Sequence, residues 1–259
     1  MIEILPNQTY VAIPSHISKM EFNTIAGYFD RIPEIQIVYG HELPESRYVG
    51  ANGPEIIEFS KWVVNCSPEI LKELTTLSVE TDSGKQLVSG FATPLGRQLW
   101  DGVKLLGNSI NKDFRRHTND GDAVQPVMQL KSNGRSKDGG PYVDVTISIS
   151  LSREESMLQD AYFEIRRYFF PLIGFLANES LDEIRLSIGP ERRTNWPWSV
   201  WNHDTNVMYG IDFKKSLFKQ ISIDPVQKNE PIKQCLQLLG LTNYSGEPWW
   251  KRLVVSHTN

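Results

Sequence analysis

Hydrophobic and polar positions at the start of the chain change period twice, and the change predicts a β-α-β unit. Thr9 to Pro14 is a run of β-branched and aromatic residues of strand type. From Ile17 to Ile32 the apolar positions Met20, Phe22, Ile25, Ala26 and Phe29 fall mostly at three- and four-residue spacing, the repeat of a helix with one buried face. Ile35-Gln36-Ile37-Val38-Tyr39 returns to strand character.

Beyond a Gly/Pro loop at Tyr48 to Pro54, Glu55 to Val64 carries Ile56, Ile57, Phe59, Trp62 and Val63 and reads as helical, and Pro68 opens a further helix through Leu74. Proline suits a first helical turn, where its missing N–H has no partner to lose. A third helical pattern runs from about Leu95 to Phe114 on Leu99, Val103, Leu106, Ile110 and Phe114, weakened by Gly102 and Gly107. Val127 to Leu130 and Tyr142 to Leu151 read as strands joined by a polar loop from Lys131 to Gly140. In the second strand Val143, Val145, Ile147 and Ile149 share one face and Tyr142, Asp144 and Thr146 the other, so one face is expected buried and one wet.

The strongest helical signal spans Arg153 to Leu176. Ser152 and Glu155 have capping-box spacing, an apolar stripe runs from Leu158 to Leu176, and Pro171 is expected to kink or shorten the helix. Glu183 to Ile188 and Val207 to Phe213 read as strands flanking a tryptophan-rich loop, and Pro231 to Leu241 as a last short helix. Together these elements predict an α+β fold, a mixed or antiparallel sheet with packed helices, in a single domain over 1–259 with a weak seam near 118–126.

Composition narrows the function more than the fold. At 259 residues the chain can bury a large core without a disulfide or metal, and 40% hydrophobic with 22% charged residues is ordinary for a globular protein. Cys66 and Cys235 have no metal-type or redox-type spacing, and the default for each is a buried inert thiol. With no signal-like start and no apolar run of spanning length, a cytoplasmic protein without a membrane anchor is expected. A net charge of -4 disfavours nucleic acid as the main partner, although five dibasic pairs, Arg192-Arg193 among them, could converge locally.

Candidate chemistry concentrates in Arg192-Arg193-Thr194-Asn195-Trp196-Pro197-Trp198-Ser199-Val200-Trp201-Asn202-His203-Asp204. Exposed indoles here would form a stacking platform flanked by Arg192 and Arg193; buried ones would be the local core of a long loop. His203-Asp204 has the residue types of a general base with its carboxylate, yet neighbours on a strand face opposite ways, and Asn202, Asp204 and Asn206 suit a turn. His117 to Asp122 gathers oxygen ligands without calcium-loop order, and the loop Asn133 to Gly140 has glycines without phosphate-loop order, so a polar turn and a hairpin explain them better. No nucleophile elbow or dinucleotide fingerprint occurs.

What remains is an expectation of a non-enzymatic association protein, with no cofactor or metal, that binds a protein partner or its own copies through Arg192, Arg193, Trp196, Trp198, Trp201 and His203. The alternatives are a sensor that stacks a nucleotide or sugar on the tryptophans, and a hydrolase or nuclease built on His203 and Asp204 with His117 or Asp122.

Overall fold

The computed structural model describes residues 9–13, 18–32, 35–39, 46–48, 56–58, 62–75, 77–80, 86–89, 93–117, 127–150, 155–179, 181–190, 196–221 and 230–244. In chain order the first half holds β1 (Thr9–Ile13), α1 (Lys19–Phe29), β2 (Ile35–Tyr39), β3 (Ser46–Tyr48), β4 (Ile56–Glu58), β5 (Trp62–Cys66), α2 (Pro68–Thr75), β6 (Leu77–Glu80), β7 (Gln86–Ser89) and α3 (Pro94–His117). The second half holds β8 (Val127–Arg135), β9 (Tyr142–Ser150), α4 (Glu155–Glu164), a π-helical turn (Ile165–Phe169), α5 (Phe170–Asn178), β10 (Glu183–Gly189), β11 (Trp198–Asn202), β12 (Val207–Asp212), β13 (Leu217–Gln220), α6 (Glu230–Leu238) and β14 (Thr242–Asn243).

Ten of these strands form one mixed sheet in the order β14-β13-β12-β11-β10-β9-β8-β5-β1-β2, while β3-β4 and β6-β7 are separate two-stranded pairs. The α+β class, the mixed sheet and the opening β-α-β unit are as the sequence pattern predicts, with β1 and β2 parallel neighbours joined through α1. The pairs β5/β8 and β9/β10 are also parallel, each with helices in the connection, because a parallel return needs a long crossover. Residues 118–126 lie outside the described residues; β5 and β8, which fall on either side of them in sequence, pair directly.

The helices touch one another in the sequence α1, α3, α2, α5, α6, which makes them a single layer. That layer covers one face of the sheet, because Val143, Val145, Ile147 and Ile149 of β9 and Met128 and Leu130 of β8 are buried in one core with Ile25, Phe29, Leu106, Leu158 and Phe169 of the helices. The alternating burial of β9 is the two-residue repeat of a strand with one covered face. The glycines of α3 have a packing reason: a Cβ on Gly102 would lie 2.6 Å from the Phe29 ring, and one on Gly107 would collide with the Tyr162 hydroxyl. Helix propensity yields there to close approach between helices.

Two sequence expectations are corrected and a third is given its form. Within the helix expected over Glu55 to Val64, the described residues are strands: Ile56–Glu58 pairs with β3, and Trp62–Cys66 lies between β1 and β8, so cross-strand pairing outweighs an i, i+3, i+4 pattern too short to be decisive. The tryptophan segment is not a single loop, because Trp198–Asn202 forms β11 between β10 and β12. The interruption expected at Pro171 takes the form of a π turn, Ile165–Phe169, with the proline in the first turn of α5. The chain widens into the π turn just before it, where Phe170 N–H bonds to Ile165 O, and the wider turn accommodates a ring that would clash with the previous α turn. Ser152, half of the expected capping box, lies outside the described residues.

Candidate functional site

The other face of the sheet carries no described helix, and register fixes what it displays. On β9 this face holds Tyr142, Asp144, Thr146 and Ser148; on β8, Gln129, Lys131 and Asn133; on β10, Arg185 and Ser187. On β11 it holds Ser199 and Trp201, and on β12 Met208 and Gly210. Trp198 and Trp201 are an odd number of residues apart on one strand, so they must point to opposite faces. Trp198 is 6% exposed, packs against Phe169 with ring centroids 5.0 Å apart, and donates its indole N–H to Glu164 Oε2 at 2.6 Å. Trp201 is 37% exposed in the helix-free face, opposite Ser187 on β10 and Met208 on β12.

Trp196 joins Trp201 on that face. A Cβ on Gly210 would collide with the Trp196 ring, so this glycine lets the indole lie flat on β12. The Trp196 ring meets that of Tyr244 edge-on at 6.3 Å, and Lys219 Nζ sits 5.4 Å above Tyr244. The three tryptophans expected to act together are thus divided: Trp198 is core, while Trp196 and Trp201 share the outer face. Arg192 and Arg193 lie outside the described residues.

His203 follows β11 and keeps its pairing, with its backbone N–H bonded to Arg185 O at 3.0 Å. Its ring lies 4.3 Å from that of Trp201, and Nε2 is 2.7 Å from Ser187 Oγ. Asp204 does not orient the imidazole; its carboxylate faces Arg185 Nε at 3.7 Å. Asn202 Oδ1 accepts from Asp204 N–H at 2.9 Å and Thr205 N–H at 3.3 Å, and Asn206 has φ 52°, so this segment is the polar turn that its Asn and Asp content suggests. The side chains of His117 and Asp122 lie outside what is described. Among the described residues no group of three or more His, Cys, Asp or Glu side chains is placed to hold a metal ion.

Charges on this face are largely matched internally. Arg185 contacts Glu183 at 3.0 Å as well as Asp204, and its guanidinium lies 5.7 Å from the Tyr142 ring. The β8–β9 tip is tied to α2 by Lys72–Asp138 at 2.6 Å and by Lys137 N–H to Glu69 Oε1 at 2.8 Å. The Lys72 hydrogen bond lowers the Asp138 carboxyl below its ordinary value. Burial pushes the Cys66 thiol up to about 12 and raises Cys235 also, so both are held as neutral thiols. On the core side, burial raises the Glu164 carboxyl, with Asp160 and Asp212 adding to the effect and the Trp198 N–H and Lys214 opposing it.

Arg185, Ser187, Met208, Lys219 and Tyr244 were not singled out from the sequence. The alternation Glu183, Arg185, Ser187 in a strand whose other parity is Ile184, Leu186 and Ile188 was the signal available for the first two. No helix among the described residues is long and apolar enough to cross a membrane. Searches against models of protein families, curated proteins and solved structures found no match, so the reading of this site rests on its own geometry.

Proposed function

We propose that the chain is a non-enzymatic association protein that holds a protein partner on the helix-free face of its sheet, with Trp201 as the anchor. The observation that carries this reading is a large indole, 37% exposed, in the interior of a ten-stranded sheet rather than at its edge. Around it stand Met208, Trp196 and Arg185, residue types that dominate interface energetics, with Ser187, Ser199 and Thr146 as polar surroundings. Catalysis is supported less well, because among the described residues no carboxylate orients the imidazole of the Ser187–His203 pair, Asp204 being turned to Arg185.

The test is co-purification with wild-type and Trp201→Ala baits, followed by reconstitution with the identified partner. Trp201→Ala is expected to weaken the complex by about tenfold or more, as loss of a central aromatic anchor does. Phe163→Ala, an equally conspicuous aromatic 57% exposed on α4, is expected to leave it intact. A partner retained equally by both variants would sink the proposal.

A further inference from the structure

Resting on the association reading, we infer that the partner element seated on this face is a proline-rich segment in the polyproline II conformation. The first argument is spacing. Trp201 is the register partner of Met208, and Gly210, under the Trp196 ring, lies two residues further along β12. One inter-strand step combined with two residues of rise puts the two indole positions about 8 Å apart, close to the roughly 9 Å of one polyproline II turn. Successive turns of such a segment would therefore meet successive indoles. The Tyr244 ring, 6.3 Å from that of Trp196, extends the ridge toward β14.

The second argument is shape. Among the described residues the apolar groups form a narrow diagonal of Trp201, Met208 and Trp196 rather than a broad patch, flanked by the small residues Ser199 and Gly189, which are paired in register. A strip suits a linear ligand, whereas a globular partner would need an apolar centre wide in both directions.

The third is polarity. A run of prolines offers carbonyl acceptors and no N–H donors. The Trp201 indole N–H and the Tyr244 hydroxyl are donors carried by this ridge, the kind of group that such carbonyls accept from. The cations nearby are already engaged, Arg185 by Glu183 and Asp204 and Lys219 by Tyr244, which favours an uncharged ligand over an acidic or phosphorylated one. Because a polyproline II segment is ordered before it binds, even a shallow ridge retains affinity.

The experiment titrates the full chain with an oligoproline peptide of three turns, about nine residues, and with the same peptide carrying alanine for proline, following tryptophan fluorescence and the anisotropy of labelled peptide. Saturable binding of the proline peptide alone is expected, weakened about tenfold by Trp201→Ala and by Trp196→Ala, with Trp196→Tyr restoring part of the loss. Circular dichroism of each variant separates lost binding from lost fold. No saturable binding, or equal binding of the alanine peptide, overturns the proline inference; if Trp201→Ala still abolishes partner capture, the association reading survives that failure. Proline binding that is indifferent to both tryptophan substitutions overturns the assignment to this face.

Discussion

Trp198 and Trp201 are the same residue type on the same strand, and they live in different physical worlds. Trp198 faces the helical layer, where Phe169 covers its ring and Glu164 takes its N–H. Trp201 faces the open side among Ser187, Met208 and His203. The contrast shows that an aromatic cluster in a sequence is not a unit of function. Strand parity divides it, giving one ring to stability and leaving the other available for recognition.

The comparison can be broken most sharply on the covered face. Trp198→Ala removes a buried ring and leaves the half-buried Glu164 without its donor; a loss of about 3–5 kcal/mol is expected in denaturant unfolding. A loss near that of a surface substitution would show that Trp198 is not core. Gly107→Ala comes next and tests sign as well as size. In an open helix this change stabilises by about 1 kcal/mol, but here the new methyl meets the Tyr162 hydroxyl, so a net loss of about 1–3 kcal/mol is expected from overpacking. A gain would mean that α3 and α4 can separate at little cost.

A subtler test uses pH. Burial raises Glu164 above its ordinary carboxyl value in the folded chain, so the folded state takes up this proton more readily than the unfolded one. Its contribution is fully present below the unfolded value and is lost as pH rises through the folded value. Glu164→Gln, which keeps an acceptor for Trp198 and does not titrate, should therefore gain on the wild type as pH climbs from the ordinary glutamate range toward neutrality. Parallel stability curves across that window would contradict the raised value.

On the open face the expected effects on stability shrink. Trp201→Ala should cost about 1–2 kcal/mol, because its ring is 37% exposed but lies against His203, and a loss as large as that of Trp198→Ala would show that something covers this ring and would undo the contrast. The smallest effect belongs to Asp138→Asn, which breaks an ion pair whose side chains are 67% and 57% exposed. The unfolding midpoint should scarcely move, and any difference should vanish in high salt.

Long, strongly periodic elements were legible in the sequence. The stripe from Leu158 to Leu176 and the alternation of Val143 to Ile149 each repeat a single period often enough to exclude the competing element, and both appear where expected. Short apolar runs were not, because Glu55 to Val64 fits helix or strand locally, and only the pairing of Ile56–Glu58 with β3 and of Trp62–Cys66 with β1 and β8 decides. The glycines of α3 read as weak points because their reason lies on other elements, Phe29 of α1 and Tyr162 of α4. Local clustering of tryptophans brings Trp196, Trp198, Trp201 and His203 together in the sequence, and only the strand parity of Trp198–Asn202 separates Trp198 from the outer face.

The sequence by itself determined the α+β class, the opening β-α-β unit, the two-faced hairpin strand and the buried thiols, since each follows from a local period or a local preference. Only the tertiary structure decided which tryptophans look outward, why Gly210 must stay without a side chain, and that the charged β8–β9 tip is spent on α2. Those outcomes depend on register between strands and on contacts between residues far apart in the chain, and local residue pattern carries no record of either.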